Sequence, residues 1–361
     1  MLYKELKDRA LPPLPATREE MIATIHRELF GTLPSPEFSY SVSEPVVICP
    51  YFANRTVTHS EVVMTITIGE ASHSFYIDRL LHTDGRPRPT VILNNFNRMG
   101  ESRYFPIEEL SETDFNFISV FYKEISSDDG DFSTGLAPML LPNGQDTDTT
   151  CGKIGIWAWA NMRVMDYALT LPETDAKNVA IVGHSRLGKT SLYTGMMDER
   201  FRFVYSNAAG CAGDTLAHGN TGFDRPHWVY QGGELIEDIV KNFPYWFCKN
   251  YHRHAEKNIS EEFDQHYLLA ANAPRFVLVG SCDLDFWADP ESQQLCCLAA
   301  SEMWERAGMK GLDDAEDYLA SRESLLDGRV GYFKIHSMHF FSRHCWKRCN
   351  EFIEKHKDET I

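Results

Sequence analysis

The sequence predicts an α/β fold, a three-layer sandwich in which helices cover both faces of a mostly parallel central sheet with an antiparallel N-terminal start. Three observations predict it. Short, continuous apolar runs recur along the chain, as strands buried on both faces must: PTVILNN (89–95), FNFISVFY (115–122), NVAIVG (178–183), FRFVYSN (201–207) and RFVLVG (275–280). Segments with helical patterning separate most of them, the alternation that builds parallel sheets. Ahead of them, EVVMTITIG and SHSFYIDRL alternate with period two, as half-exposed antiparallel strands do.

Taken in order, residues 1–40 hold one helix, about Arg18 to Phe30, between proline-rich linkers, and are expected to pack on a single main domain, 41–361. Antiparallel strands fill Val46 to Thr83. After FNFISVFY comes a long loop carrying DDGD, then a helix, GIWAWANMRVMDYALTL (155–171), apolar at most core-facing positions. NVAIVG leads through a turn into a helix ending near Met197. An aromatic-rich insertion, 210–265, separates FRFVYSN from RFVLVG. ESQQLCCLAASEMWERAG (291–308) reads as a helix, GYFKIHS (331–337) as the last strand and RHCWKRCNEFIEKH (343–356) as the final helix.

Composition narrows the function. The chain has 361 residues and a formal charge of −17, from 35 Lys plus Arg against 52 Asp plus Glu, which repels nucleic acid and anionic membranes. No apolar run approaches the ~18 residues of a membrane span. The nine cysteines show no paired zinc spacing and read as free thiols. The charged opening lacks the apolar core of a secretion signal, so a cytoplasmic location is expected; a trimmed signal would make the protein secreted. No metal or cofactor is called for, and the sequence carries no mark of an oligomeric state.

The chemistry centres on IVGHSRLGKT (181–190), which fits two templates. Gly183 to Thr190 match a phosphate-binding G-x-x-x-x-G-K-T loop. The same letters as G-x-S-x-x-G place Ser185 on a strand-to-helix turn, as in an α/β-hydrolase. A phosphate cradle needs small residues, and His184, Arg186 and Leu187 are bulky. The run also follows at least two buried strands, instead of ending the first. The nucleophile is therefore expected, with a nucleotide binder the remote alternative.

Its partners follow in hydrolase order. Asp283, Asp285 and Asp289 lie after RFVLVG, and His336 and His339 after GYFKIHS, each group beyond a strand's carboxyl end. An isolated loop Asp is ordinarily a turn residue and an isolated loop His is ordinarily solvated; the series of three carries the expectation. By position, the amides of Phe96 and Asn97 are candidates for a second oxyanion donor.

The run WAWANMRVMDYALTLPETDAKNVAIVGHSRLGKTSL, with SNAAGCAGD, FPYWFCKNY, DQHYLLAANAPRFVLVGSCDLDFWADP and HFFSRHCW, resembles the bacterial glucuronoyl esterases, carbohydrate esterase family fifteen. The resemblance extends from roughly Asn94 to His356. It implies an α/β-hydrolase fold and cleavage of esters of 4-O-methyl-glucuronic acid, the link between xylan side chains and lignin alcohols. Residue by residue it implies Ser185 as nucleophile and Arg186 as a cation that helps stabilise the oxyanion. Asp285, two residues before Trp287, is implied as the acid over Asp283. His339, seven residues before Trp346, is implied as the base over His336, with His344 in the final helix. Lys189 and Glu234 would bind sugar hydroxyls, and Trp287 would pack on the uronate ring. The plainer readings are a surface ion pair for Arg186 and core packing for Trp287.

Two departures stand out. Many relatives carry a carboxylate in a motif like E-S-G-x-G-G where this chain has Ala208. His184 occupies the place of a cysteine in fungal relatives, so no disulfide is expected beside the site. The expectation is a serine carboxylester hydrolase acting on a glucuronate-containing or acylated oligosaccharide through a Ser-His-Asp triad and an acyl-enzyme. An acetyl (xylan) esterase with the same triad is the alternative.

Overall fold

Among the residues described by the computed structural model, 2–222 and 232–360, eleven strands form one sheet. The strands are β1 (Ser39–Val42), β2 (Val46–Phe52), β3 (Val57–Ile68), β4 (Ala71–His82), β5 (Arg88–Asn95), β6 (Asn116–Phe121), β7 (Thr174–His184), β8 (Phe203–Asn207), β9 (Phe276–Cys282), β10 (Ser324–Leu325) and β11 (Val330–Ile335). Their order is β1-β3-β4-β6-β5-β7-β8-β9-β11-β10, with β2 pairing to β3 off that path. From β6 to β11 the pairings are parallel; those joining β1–β4 and β6, and the β10–β11 pair, are antiparallel. The α/β-hydrolase expectation is met, with a sheet mixed in orientation at its margins.

The central strands lie between two apolar layers because their side chains alternate. Val91, Leu93, Val182 and Leu278 join one layer, while Ile92, Ile181, Val277 and Val279 join the other. Helices Lys153–Ala168, Arg186–Met197 and Pro290–Ala300 contribute to the second layer, and Arg343–His356 contributes Trp346, Phe352 and Ile353 to the first. Burying each such side chain stabilises by about 1.5–3 kcal/mol. β3 and β4 are joined by a two-residue loop in which Gly69, at φ 58°, supplies the left-handed conformation that a tight hairpin requires.

The N-terminal segment packs into the second layer through Leu2, Leu14, Met21, Ile25, Leu29 and Phe30. Its helix, Arg18–Glu28, begins with a capping box between Thr17 and Glu20. The short helix Leu2–Asp8 was not expected; seven residues are too few to show a period. The single helix read over 291–308 is two, Pro290–Ala300 and Glu302–Arg306. At the junction Ser301 Oγ donates back to Cys297 O, the local competition that interrupts helices at serine. The expected insertion is helical in part, with Ile236–Asn242 and the 3₁₀ turns Pro244–Trp246 and Lys249–Glu256; its residues 223–231 lie outside the described residues. No helix of the described residues is long and apolar enough to cross a membrane. Because β7, β8, β9 and β11 are parallel, the loops after His184, Asn207, Cys282 and Ile335 emerge at one sheet edge.

Candidate active site

Ser185 sits between β7 and helix Arg186–Met197 at φ 58°, ψ −128°, a backbone state costly for any residue with a Cβ. The turn is fixed from several sides. Ser185 N–H donates to Asn207 O at 2.8 Å, across from β8. A Cβ on Gly183 would lie 2.1 Å from Leu187 O, and one on Gly188 would lie 2.8 Å from Ser206 Oγ. Both glycines are thus required by close approach. This geometry also removes the phosphate-loop reading: the helix begins at Arg186, three residues before Lys189, and the Lys189 ammonium donates to Ala209 O.

The candidate aspartates and histidines form two Asp–His pairs, and one of them shares a cavity with the serine. His339 Nδ1 lies 2.6 Å from Asp285 Oδ2, with Asp285 buried, and His339 lines one cavity with Ser185. His336 Nδ1 lies 2.8 Å from Asp283 Oδ2, but His336 is exposed and lines a different cavity. Burial acts to raise the Asp283 pKa, but hydrogen bonds from Ser321, His336 and the Ser337 amide hold the carboxylate there and leave its pKa depressed. Asp289 is a capping residue: its side chain accepts Ser292 N–H at 3.0 Å at the start of helix Pro290–Ala300. His344 opens the final helix on the exposed surface.

The serine cavity has a volume of about 290 Å³, and Arg186, Lys189, Glu234 and Trp287 line it too. Glu234, which comes from the insertion, is placed by its backbone: its N–H donates to Trp287 O at 2.9 Å, and Asn220 Nδ2 donates to Glu234 O at 3.0 Å. Lys189 is buried, which lowers its pKa, while the nearby Glu234 carboxylate acts to raise it. Trp287 is only partly buried, so it belongs to the cavity wall and not to the core. Arg186 is no surface ion pair, since its partner Asp128 is 4% exposed. A larger cavity of about 520 Å³ lies between the final helix and residues 106–115, lined by Leu110, Phe115 and Trp346, and contains no nucleophile–base pair.

His184, in the place of the fungal cysteine, packs against His339 with ring centroids 4.5 Å apart and planes tilted by 38°. Burial, and secondarily the positive potential of His339, hold its pKa well below 6.5, so it remains a neutral platform. All nine cysteines are unpaired. Ala208 lines the serine cavity at φ 49°, and the carboxylate that lines the same cavity is Glu234, from the insertion.

The expectation for Phe96 needs correction. Its N–H donates to Asn95 Oδ1 at 2.8 Å, so that amide is already engaged, and neither Phe96 nor Asn97 lines the cavity. The Arg186 amide is better placed to act as an oxyanion donor: as the first residue of its helix it has no acceptor in a preceding turn. Other contributors escaped the sequence reading. Asp214 is fully buried and accepts from Ser206 Oγ at 2.8 Å, Gly210 N at 2.7 Å and Gln293 Nε2 at 2.7 Å, shaping the turn that carries Ala208. Phe243 and Trp246 line the cavity from FPYWFCKNY, a stretch that the sequence reading used only for its resemblance. Among the described residues no group of three or more His, Cys, Asp or Glu could hold a metal ion.

Comparisons with known proteins find similarity to glucuronoyl esterases. A family described as glucuronyl esterase, fungi, matches residues 140–308. The carbohydrate esterase MZ0003, from an unknown prokaryotic organism, is 35% identical over 205 residues, covering 57% of this chain and 44% of that protein. A 4-O-methyl-glucuronoyl methylesterase of Phanerochaete chrysosporium is 27% identical over 174 residues, covering 47% of this chain and 36% of its own length. The chain therefore aligns with less than half the length of these curated relatives. In the solved glucuronoyl esterase from Solibacter usitatus the likeness spans 95% of this chain and 93% of that one, with a TM-score of 0.82 at 25% identity. A glucuronoyl esterase from Teredinibacter turnerae gives a TM-score of 0.82 at 21% identity, covering 97% and 90%, a likeness of fold.

Proposed function

We propose that the chain is a member of carbohydrate esterase family fifteen and a serine carboxylester hydrolase whose substrates are esters of glucuronic acid. Ser185 Oγ attacks the ester carbonyl while His339 Nε2 takes its proton. Asp285, on Nδ1, holds the tautomer and steadies the imidazolium. The negative oxygen meets the Arg186 amide and guanidinium, donors fixed before the charge develops. His339 returns the proton to the leaving alcohol. Water then repeats the sequence on the uronoyl-enzyme, releasing glucuronate and restoring the serine.

The observation that carries this reading is the sharing of one cavity by Ser185, the 2.6 Å Asp285–His339 pair and three groups suited to a sugar, Lys189, Glu234 and Trp287. A uronate ester keeps its ring on the acyl side, so those groups hold it through both steps. The nine unpaired thiols support a reducing, intracellular setting, in which xylan-derived substrate would arrive as short oligosaccharides. The test compares kcat/KM on benzyl glucuronate, p-nitrophenyl acetate and acetylated xylan. The uronate ester is expected to be the best substrate, and faster turnover of acetylated xylan would make the protein an acetyl esterase.

A further inference from the structure

Two stretches outside the triad, DDGD (128–131) and FPYWFCKNY (243–251), converge on Arg186. We propose that Asp128 is the positioning residue for Arg186, fixing one end of its guanidinium so that the cation is held ready beside the carbonyl oxygen of the ester that Ser185 attacks. The inference rests on the esterase reading above and adds a residue to it.

Asp128 accepts from three side chains. Trp246 Nε1 donates to Oδ1 at 2.7 Å, Tyr122 OH donates to Oδ2 at 2.7 Å, and Arg186 Nη1 donates to Oδ2. Tyr245 OH donates to the Asp128 backbone carbonyl at 3.0 Å. The turn that carries Asp128 is itself pinned. The Lys153 ammonium donates to Ser126 Oγ at 2.9 Å, Ser127 Oγ at 3.2 Å and Asp131 O, and Asp131 N–H donates to Asp129 Oδ1 at 2.9 Å. This carboxylate is a built-in part of the fold, not a mobile surface charge.

The other constraint on Arg186 is aromatic. Its guanidinium carbon lies 4.6 Å from the Trp246 ring centre and 5.2 Å from that of Phe243, and those two rings stack at 4.0 Å with planes 2° apart. Phe96 stands 5.7 Å away. Held by its ion pair and by these rings, the guanidinium has little freedom to turn. Its Nε is buried with no hydrogen-bond partner among the described residues, a costly state for a cationic donor. Arg186 also lines the cavity that holds Ser185, so an oxyanion formed there would meet a cation that is already fixed. Such a donor stabilises a transition state in proportion to how well it is held beforehand, which gives Asp128 its role.

A double-mutant cycle tests this. Asp128→Asn keeps the side-chain size but turns an amide N–H toward Arg186, or forfeits the bond. It is expected to lower kcat on benzyl glucuronate by roughly ten- to a hundredfold with KM within about twofold. Added to Arg186→Ala, which lowers kcat itself, Asp128→Asn should cause no further loss. A residue that merely supports the fold would cost activity in both backgrounds, and that result would overturn the proposal. The same cycle on p-nitrophenyl acetate separates this proposal from the substrate reading, because every ester passes through an oxyanion. Should neither ester be turned over, the Arg186 Nε–H resonance, assigned by its loss in Arg186→Lys, gives the answer without catalysis. It should be sharp in the parent protein and broadened in Asp128→Asn; an unchanged resonance would overturn the proposal as well.

Discussion

Asp285 Oδ2 lies 2.6 Å from His339 Nδ1, and three residues upstream of His339 a second pair, Asp283 with His336, repeats that contact at 2.8 Å. The two pairs differ in what they face, since only His339 shares a cavity with Ser185. Asp285→Asn should therefore lower kcat on benzyl glucuronate by about a thousandfold or more, nearly as much as His339→Ala, because Asp285 is the carboxylate held on His339 Nδ1. Asp283→Asn should stay within about threefold of the parent. Ala208→Glu, which puts a carboxylate into the cavity wall at a residue already at φ 49°, should partly restore Asp285→Asn. The opposite ranking of the two aspartates in steady-state kinetics would assign the acid to Asp283.

Lys189 and Trp287 should separate substrates. Lys189→Ala and Trp287→Ala are expected to reduce kcat/KM on benzyl glucuronate by about tenfold or more, since they remove contacts to a ring that an acetyl group lacks. The rate on p-nitrophenyl acetate should barely move. Equal losses on both esters would make these residues structural supports.

The tightness of the nucleophile turn predicts a stability effect. Gly183→Ala would place a methyl group 2.1 Å from Leu187 O, a clash that only backbone movement relieves. Denaturant unfolding should show a loss of about 2–4 kcal/mol, or the variant should fail to accumulate folded. Parent-like stability would mean that the turn can open without cost.

Acid should weaken the attachment of the N-terminal segment. Burial lowers the pKa of His26 and of His266 from 6.5 to about 4. His26 packs edge-on to Tyr193, and His266 Nε2 lies 3.1 Å from Pro12 O. Between pH 6.5 and about 4 the unfolded chain binds protons that the folded chain does not. Stability is thus fully present above 6.5 and is lost as pH falls through that window. The melting temperature should drop progressively on acidification, and His26→Gln should flatten the slope. A melting temperature that is constant from pH 7 to 4.5 would contradict this.

Much of the sheet was legible because buried parallel strands are short and continuously apolar: NVAIVG and RFVLVG lie in β7 and β9. β1 escaped notice, since SYSV is four half-exposed residues on an edge. The serine turn was legible because its glycines fall in a short motif, although only the contact of Gly183 with Leu187 is local and that of Gly188 with Ser206 crosses to the next strand. The candidate aspartates and histidines were legible as types and order, and the preference for Asp285 and His339 came only from the resemblance, because which side of the 336–339 loop faces the serine leaves no local pattern. Asp128 was hidden in an acidic loop because its partners come from residues 122, 186 and 246, too far apart in the chain for any local pattern to connect. Phe96 misled for the converse reason, as the adjacent Asn95 side chain takes its amide.

The most direct test is the hydrolysis of benzyl glucuronate by the parent protein and by Ser185→Ala, measured side by side with their circular dichroism. The parent should turn the ester over, and Ser185→Ala should lose about a thousandfold or more of that rate while keeping the same spectrum. Hydrolysis that survives Ser185→Ala within tenfold, or a parent inert to the uronate ester, would contradict the account.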